Sequence, residues 1–520
     1  MSVFAKKRQS FEPVSMARKN LAWLTVAVWL ALTGSVLAFG LGRDFERPKA
    51  FCLSLAAAML MPRAVLIWPT LPGRLRAAVL IWLLVLAASV IFALDPARAL
   101  IGSFERSQGA YLLLCCTVLA LARVPVAILV APVIFTASVS GVWALVQFFG
   151  VEGAIFSALN VLKAGVSEVG WHRAFGWRAF ASFGNPMALG SWLVIALVFL
   201  FSARVQALQS NRRVLIVRML DVAIFFGTCG VLLSGTRAAW IALSVVVALQ
   251  FRHIKLFRII GLVGLAALVL VLLSFRADSV RARLELVDAA LRPAKIALVD
   301  ALGRSDPYPH ARFWLGSGPD LHVVMLEHNL PNRAVGEMPD RAHQMLLDGY
   351  LSIGLLGVLS WLGLMSTVWR NRIGSKNVGV FALLAALITW QFGFALSAEK
   401  VLCALLMGSM YAPELQIEAA AVAKSKSGNL FWINSIALLF ALFSVLSYLP
   451  QSLMSLDRFA PWRRPELAIL HFERARLAIM ANQGELATRE LEQAVALDPW
   501  RADLARAKRK LALELGHNSP

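Results

Sequence analysis

The chain is poor in charged residues for its length. Only 16% of its 520 residues are charged, whereas 59% are hydrophobic, and the mean hydropathy is +0.69. This composition excludes an ordinary soluble domain, in which about a quarter of the residues are charged. Acidic residues are fewer than basic residues, with 30 Asp and Glu against 51 Lys and Arg, so the formal net charge is +21.

Cysteine pairs and nucleotide-binding motifs are also lacking. The five cysteines all fall inside apolar segments without a Cys-x-x-Cys spacing, so they are interpreted as small apolar residues rather than as a disulfide framework or a metal site. The sequence has no Asp-x-Asp motif, nucleotide-binding glycine loop or Walker motif, and therefore gives no indication of a nucleotide substrate.

Long apolar runs dominate what is present. Thirteen predicted spans cover residues 21–40, 50–68, 75–94, 109–123, 125–149, 186–203, 214–233, 238–252, 256–275, 344–369, 378–397, 399–413 and 430–449. Most approach the roughly 20 residues that cross a bilayer, although 109–123, 238–252 and 399–413 are short enough to be re-entrant or tilted. Because backbone amides in lipid must pair within their own segment, the prediction is an all-α, polytopic integral membrane protein with about 12–13 transmembrane helices.

The basic residues predict the orientation of the spans. The N-terminal tail, 1–20, carries Lys6, Lys7, Arg8, Arg18 and Lys19, which is typical of a cytoplasmic segment. Alternation then places the short basic loops on the cytoplasmic side, at 74–76, 204–218, 252–258 and 370–376. The longer polar loops fall on the opposite side, at 95–109, 151–185, 234–237 and 276–343. Much of the positive charge is therefore a topology signal and not a nucleic-acid footprint.

The last part of the chain, residues 450–520, changes to a soluble, helical composition. Gly484 separates two amphipathic segments, and Ala487, Ala494 and the Asp498-Pro499 end resemble one to two tetratricopeptide repeats. A plain helical hairpin packed on the membrane domain is an equal alternative. The predicted organisation is thus a tail at 1–20, a membrane domain at 21–449 and a helical tail at 450–520, on the side opposite the cytoplasm.

Candidate functional residues lie on that same side. His343 stands at the mouth of the span 344–369, and Arg178, Arg237 and Arg283 stand at span boundaries or in the large loop. An arginine at a membrane edge snorkels, pairs with an anion or binds a substrate, and its planar fork matches phosphate oxygens in pairs. Snorkelling explains any one of them, whereas several on one face favour a phosphate-binding role.

Six short motifs follow one another along the membrane domain. They are 102–109 with Arg106, 178–186 with Asn185, 234–240, 283–290, 316–319 with Gly318, and 343–357 with Gln344, Gly354 and Gly357. Their order resembles the O-antigen ligase and O-antigen polymerase superfamily over residues 20–412. His343-Gln344, nine residues, Gly354, two residues and Gly357 meet the ligase pattern in full, whereas Ile241, Val287 and Asp320 depart from the residues usual in the family.

The resemblance implies a glycosyltransferase of the bacterial inner membrane. Its donor would be an undecaprenyl-diphosphate-linked glycan at the periplasmic face, and its acceptor the lipid A core, another glycan or a protein. His343 would act as general base, and Arg178, Arg237 and Arg283 would hold the diphosphate. Arg106, Asn185, Gln344, Gly318, Gly354 and Gly357 would belong to the substrate pocket. The reaction would invert the anomeric carbon and would need no metal or cofactor.

Other polar loop residues have two interpretations each. His172, His310, His322 and His328 are predicted to be loop histidines, since the six-residue separation of His322 and His328 is not a usual metal-ligand spacing. Asp320, Glu327, Glu337 and Asp340 are candidates for hydrogen bonding to an acceptor sugar, and solvated loop charges are the favoured interpretation. The alternatives to a ligase are an O-antigen or exopolysaccharide polymerase and a protein O-oligosaccharyltransferase. Outside enzymes, a lipid-linked glycan flippase or a secondary transporter would also be polytopic with buried charges.

Overall fold

The structure of the protein is a computed structural model. It describes residues 21–38, 46–103, 106–151, 178–210, 214–250, 305–329, 344–370, 378–391, 393, 395–411, 427–448, 464–481 and 483–499, with isolated positions elsewhere. The N-terminal tail, nearly all of the predicted span 256–275 and two of the predicted site residues, Arg283 and His343, lie outside the described residues.

The described residues are folded mainly as α-helices. The helices of five or more residues are α1 (Leu21–Leu37), α2 (Arg47–Ile67), α3 (Gly73–Ile91), α4 (Pro96–Ile101), α5 (Ala110–Leu121), α6 (Val126–Phe148), α7 (Pro186–Gln209), α8 (Val214–Leu233), α9 (Arg237–Gln250), α10 (Ala311–Leu315), α11 (His322–Asn329), α12 (Met345–Arg370), α13 (Val378–Trp390), α14 (Ser397–Ser409), α15 (Ser427–Tyr448), α16 (Arg464–Met480) and α17 (Gly484–Leu497). Two short 3-10 turns, Trp68–Thr70 and Ala181–Phe183, complete the described elements.

Six of these helices are long and apolar enough to cross a membrane. They are α2 with its following turn, α3, α6, α7, α8 and α12, and five shorter apolar helices lie within α1, α5, α9, α13 and α15. The prediction of a helical, multi-pass membrane protein is confirmed at this level. The segments predicted to be short are short here too, because α5, α9 and α14 have 12, 14 and 13 residues. At 1.5 Å per residue they reach about 18–21 Å, less than the hydrocarbon core.

Helix α7 lies at the centre of the bundle. It packs against α6, α8, α9, α13 and α14, and 89% of its most apolar window is buried inside the protein. Small residues let its neighbours approach closely: a Cβ added at Gly141 of α6 would lie 2.1 Å from the Phe226 carbonyl oxygen of α8. Without a hydrophobic force between helices in lipid, close packing of this kind holds them together.

Helix α12 is broken at Gly354, whose φ of 69° and ψ of −174° are not helical. The break releases two carbonyl oxygens from the helix. The Leu351 oxygen accepts from the Ser317 amide at 2.8 Å, and the Ser352 oxygen accepts from the Gly318 amide at 2.9 Å. The loop after α10 is therefore joined to the middle of α12 through the backbone.

The described part of the tail is a helical hairpin joined to the membrane domain. Helices α16 and α17 pack together, and Ala475 and Ala478 of α16 share a buried cluster with Ala487 of α17. Helix α16 also contacts α4, and a buried ion pair joins the Arg98 Nη1 to an Asp498 oxygen at 3.1 Å. The tail thus sits at the end of the bundle where α3 passes into α4.

Candidate functional site

One end of the bundle collects buried charges, and we call it the polar end. Here Glu46 precedes α2, and its side chain binds the Lys49 ammonium at 2.9 Å and the Ser397 amide at 3.0 Å. The same ammonium lies 5.2 Å from the ring centre of Phe183, in the turn before α7. These contacts fix the starts of α2, α7 and α14 next to one another. Charges buried at such cost in a membrane protein indicate a functional region.

Two of the predicted phosphate-binding arginines come together at the polar end. Arg178 donates from Nε to the Ser234 carbonyl oxygen at 2.9 Å and from Nη2 to the Thr236 hydroxyl at 3.4 Å, and Arg237 follows directly to begin α9. Burial lowers the pKa of the Arg178 guanidinium, and the positive charge of Arg237 lowers it further. The Ser234–Arg237 turn therefore holds a positive site.

Asn185 and Gln344, both predicted motif residues, begin helices at this end. The Asn185 side chain accepts from the Met187 amide at 2.8 Å, which caps α7. The side-chain oxygen of Gln344 accepts from the Leu347 backbone amide at 2.6 Å, and its side-chain amide donates to the side-chain oxygen of Gln391 at 2.7 Å. Gln344 thus orders the start of α12 and joins it to the end of α13, one residue from the predicted base His343.

The predicted motif glycines lie where α10, α12 and the end of α3 pack closely. A Cβ at Gly354 would lie 2.2 Å from the Trp314 carbonyl carbon, and one at Gly318 would lie 2.6 Å from the Ala93 Cβ. Gly357 has similarly little room, since its Cβ would lie 2.3 Å from Ile353 Cγ1. The close backbone approach at Gly354 and the bond from the Gly318 amide to the Ser352 oxygen position the loop that carries Asp320.

The prediction that Asp320 is a solvated loop charge is wrong. The residue is only 5% exposed, and its Oδ2 accepts from the Ser103 amide at 2.7 Å, the Ser103 hydroxyl at 2.9 Å and the Gln108 amide at 3.2 Å. The carboxylate thereby joins Ser103 to Gln108, on either side of Arg106, which is partly buried. Hydrogen bonds from two backbone amides offset the cost of burying its charge.

The prediction that His322 is a loop histidine is also wrong. His322 is the first residue of α11, it is 4% exposed, and its Nδ1 lies 3.2 Å from the Ser352 hydroxyl of α12. His310, by contrast, is exposed.

A cavity of about 270 Å³ begins at the polar end and runs between α3, α5, α12, α13 and α14. Polar side chains line its beginning: Gln108, Asp320, His322, Asp348 and Lys400. The Lys400 ammonium donates to the Gln108 oxygen at 2.6 Å across the cavity mouth. The sequence analysis did not predict this cavity or the place of Asp348 and Lys400 in its lining, although both are ionisable residues inside predicted spans, which is a recognised signal of function.

Within the part of the chain that the structure describes, no group of three or more His, Cys, Asp or Glu side chains is placed to hold a metal ion. In comparisons with known proteins, no protein-family model matches the chain and no curated protein matches it either.

Proposed function

We propose that the protein is a glycosyltransferase of the bacterial inner membrane. It would transfer a glycan from an undecaprenyl-diphosphate-linked donor to an acceptor hydroxyl at the periplasmic face, most like an O-antigen ligase acting on the lipid A core. The observation that carries the proposal is the meeting of Arg178 and Arg237 at the Ser234–Thr236 turn, at the polar end of an apolar helical bundle. In this arrangement the polar end faces the periplasm, and so does the helical tail.

Two neighbouring guanidinium groups suit a diphosphate. Each repels the other until an anion lies between them, and each can donate two parallel hydrogen bonds to phosphate oxygens. Arg178 is held by the backbone of the same turn that presents Arg237, so their spacing is fixed before the ligand arrives. Such preorganised charge stabilises the diphosphate as it leaves the sugar.

The proposed chemistry needs one base. His343, which the family resemblance implicates, would take the proton of the acceptor hydroxyl while its oxygen attacks the anomeric carbon. The bond from that carbon to the diphosphate oxygen breaks, the lipid diphosphate leaves, and the configuration inverts. Gln344 supports this role, because its bonds to Leu347 and Gln391 order the backbone next to the base.

A lipid-linked glycan flippase is the second candidate. It is favoured by the length of the cavity, whose lining extends along α12 from Met345 to Trp369. The clustering of ionisable groups at one end favours the enzyme, since transporters usually place such groups near the midplane. A polymerase and a protein O-oligosaccharyltransferase differ from the ligase only in the acceptor.

Turnover by purified protein tests the proposal. With synthetic donor and lipid A core in nanodiscs, we expect His343→Ala to lower kcat on the order of 10²–10⁴-fold, as for loss of a general base. Arg178→Ala and Arg237→Ala each remove charged hydrogen bonds and should lower kcat/KM roughly ten- to a hundredfold. Arg204→Ala, which breaks an exposed ion pair with Asp221, is the matched control and should change little.

Turnover within a few-fold of wild type in His343→Ala would show that the histidine is not the base. If wild-type protein transfers no glycan to any acceptor but moves the lipid-linked donor between leaflets, the flippase is the correct function.

A further inference from the structure

We propose that the cavity binds the lipid acceptor, with a hydrocarbon chain along its apolar walls and sugar hydroxyls at the polar end. The identification of this lipid as the acceptor rests on the proposed function. The prediction of a site for a chain-bearing sugar lipid rests on the cavity alone.

The walls of the cavity fit a hydrocarbon chain. Beyond the polar end its lining is mainly apolar, with Trp82 of α3, Leu364 of α12 and Met407 of α14 among its members, and it reaches Trp369 and Tyr411 near the opposite end. Burying a chain against such walls is favourable whether it comes from water or replaces a loosely packed lipid.

An indole N–H without a partner belongs to a residue of the cavity lining. Trp390, the last residue of α13, lines the cavity and is 6% exposed, and its buried Nε1 has no hydrogen-bond acceptor among the described residues. A buried hydrogen-bond donor without an acceptor is costly, so an oxygen atom of a ligand that accepts from it would stabilise it. The neighbouring Gln391 is joined to Gln344, so the end of α13, where Trp390 stands, lies at the start of α12.

The charges around that donor select hydroxyls over a diphosphate. Asp348 and Asp320 carry carboxylates and Lys400 an ammonium, so the mouth of the cavity has no excess of positive charge. A carboxylate accepts hydrogen bonds from sugar hydroxyls and repels phosphate. Arg178 and Arg237 are absent from the lining, which separates a positive site for the donor from a mixed site for the acceptor.

Gly349 gives a direct way to block the site. It lines the cavity within α12, and a Cβ added there would meet only the Val358 Cγ2, at the ordinary contact distance of 3.5 Å. Gly349→Leu therefore fills the cavity without a clash at its first atom. Gly363 is the matched control, since it lies in the same helix, is exposed, is not part of the lining and has nothing within 4 Å of an added Cβ.

The probe is a dodecyl maltoside that carries a photoreactive diazirine at the end of its chain, added to the full-length protein in nanodiscs. Mass spectrometry locates the labelled residues. We expect labelling in the cavity, at α5 and α14, to fall at least fivefold in Gly349→Leu and to remain unchanged in Gly363→Leu. Trp390→Phe, which keeps the ring and removes the donor, should weaken binding roughly two- to tenfold, as for one hydrogen bond.

Farnesyl diphosphate, added as a competitor, separates the acceptor from the donor. We expect farnesyl diphosphate to leave the cavity labelling of the wild type unchanged. We also expect farnesyl diphosphate to bind the wild type and not to bind Arg178→Ala. If farnesyl diphosphate displaces the maltoside from the wild type and from Arg178→Ala alike, the proposal is overturned and the cavity is the site of the prenyl chain. Equal labelling of the wild-type and Gly349→Leu cavities, or insensitivity to Trp390→Phe in a folded variant, would also overturn it.

Failure of this inference differs from failure of the proposed function. If Gly349→Leu abolishes the cavity labelling but the wild type transfers no glycan, the lipid site is supported and the glycosyltransferase function is rejected. If Gly349→Leu transfers glycan to the lipid acceptor at the wild-type rate, the glycosyltransferase function is supported and the cavity is not its acceptor site.

Discussion

At the scale of single residues, backbone geometry at glycine positions holds the polar end together. Gly354 has a conformation that residues with a side chain rarely adopt, and the space its Cβ would need is filled by the backbone of Trp314. The Leu351 and Ser352 carbonyls can bind the 316–318 loop only because the helix is interrupted there. The loop in turn carries Asp320, so one dihedral angle affects the mouth of the cavity.

Gly354→Ala should therefore destabilise the protein. The positive φ costs about 1–3 kcal/mol for alanine, and the 2.2 Å approach to Trp314 adds a steric penalty. We expect a clear fall in Tm, measured by thermal denaturation in detergent. Gly363→Ala, in the same helix with open space around it, should leave the Tm unchanged or raise it slightly. Equal Tm values for the two variants would contradict the role given to Gly354.

Residue-level predictions failed where a partner lies far away in the sequence. The composition around Asp320 and His322 is that of a polar loop, which usually means solvent. Asp320 is buried by Ser103 and Gln108, more than 200 positions earlier, and His322 by Ser352. Neither partner is visible in local sequence, so only the tertiary fold shows that these residues belong to the site.

At the scale of elements, hydropathy predicted the membrane helices well. The predicted span 125–149 is α6 (Val126–Phe148), and 214–233 is α8 (Val214–Leu233), because the ends of an apolar run are where the chain leaves lipid. The interruption of α12 was not predicted, since Gly354 lies inside an unbroken apolar run. The short helix α10 and its contacts were also beyond hydropathy, which carries no information on loops.

A buried ion pair between Arg312 and Asp306, which we call the clip, fixes α10 on the end of α3. Arg312 binds both oxygens of Asp306, at 2.7 and 2.6 Å, and also donates to the Phe92 and Gly316 carbonyls. Removing one partner of a buried pair typically costs 3–5 kcal/mol, so Arg312→Ala should lower the Tm and speed hydrogen exchange in α10. Arg476→Ala, which breaks the exposed pair with Glu473, is the control and should cost about 0–1 kcal/mol.

The double variant Arg312→Met, Asp306→Leu gives a second measurement on the same clip. Because neither charge is then left alone, its Tm should lie above that of Arg312→Ala. A Tm at or below that of the single variant would show that the clip acts through packing and not through charge.

At the scale of the whole molecule, the described part of the tail is joined to the membrane domain at α4. Arg98 of α4 binds Asp498, which follows the last residue of α17, and both side chains are almost fully buried. Asp95 caps α4 by accepting from the Arg98 amide at 3.1 Å. Burial raises the pKa of the Asp95 carboxyl, and the negative charge of Asp498 raises it further.

Docking of the tail should therefore depend on pH. The docked state favours protonated Asp95, so this group contributes stability at low pH and loses it as the pH rises through its raised pKa. Asp95→Asn keeps the cap without the charge and should strengthen docking at pH 7 and reduce its pH dependence. Asp498→Asn, which leaves the buried Arg98 without its carboxylate, should weaken docking at pH 7.

Energy transfer between fluorophores on α17 and at the end of α3 measures the docking of the tail from pH 4 to pH 8. Transfer that does not change with pH in the wild type, or that falls in Asp95→Asn at pH 7, would contradict the assignment to Asp95.

The central position of α7 has a consequence for biosynthesis. The two helices that finish its enclosure, α13 and α14, begin only at Val378 and Ser397, so the ribosome must add residues 210–377 before the first of them exists. At 5–20 residues per second, one side of the nascent α7 lacks these two helices for on the order of ten seconds or more. A helix that other helices finally bury almost completely must therefore be stable while one of its sides still faces lipid. The hydrogen bond between the Ser191 and Thr389 hydroxyls, at 2.8 Å, can form only once synthesis has passed that point.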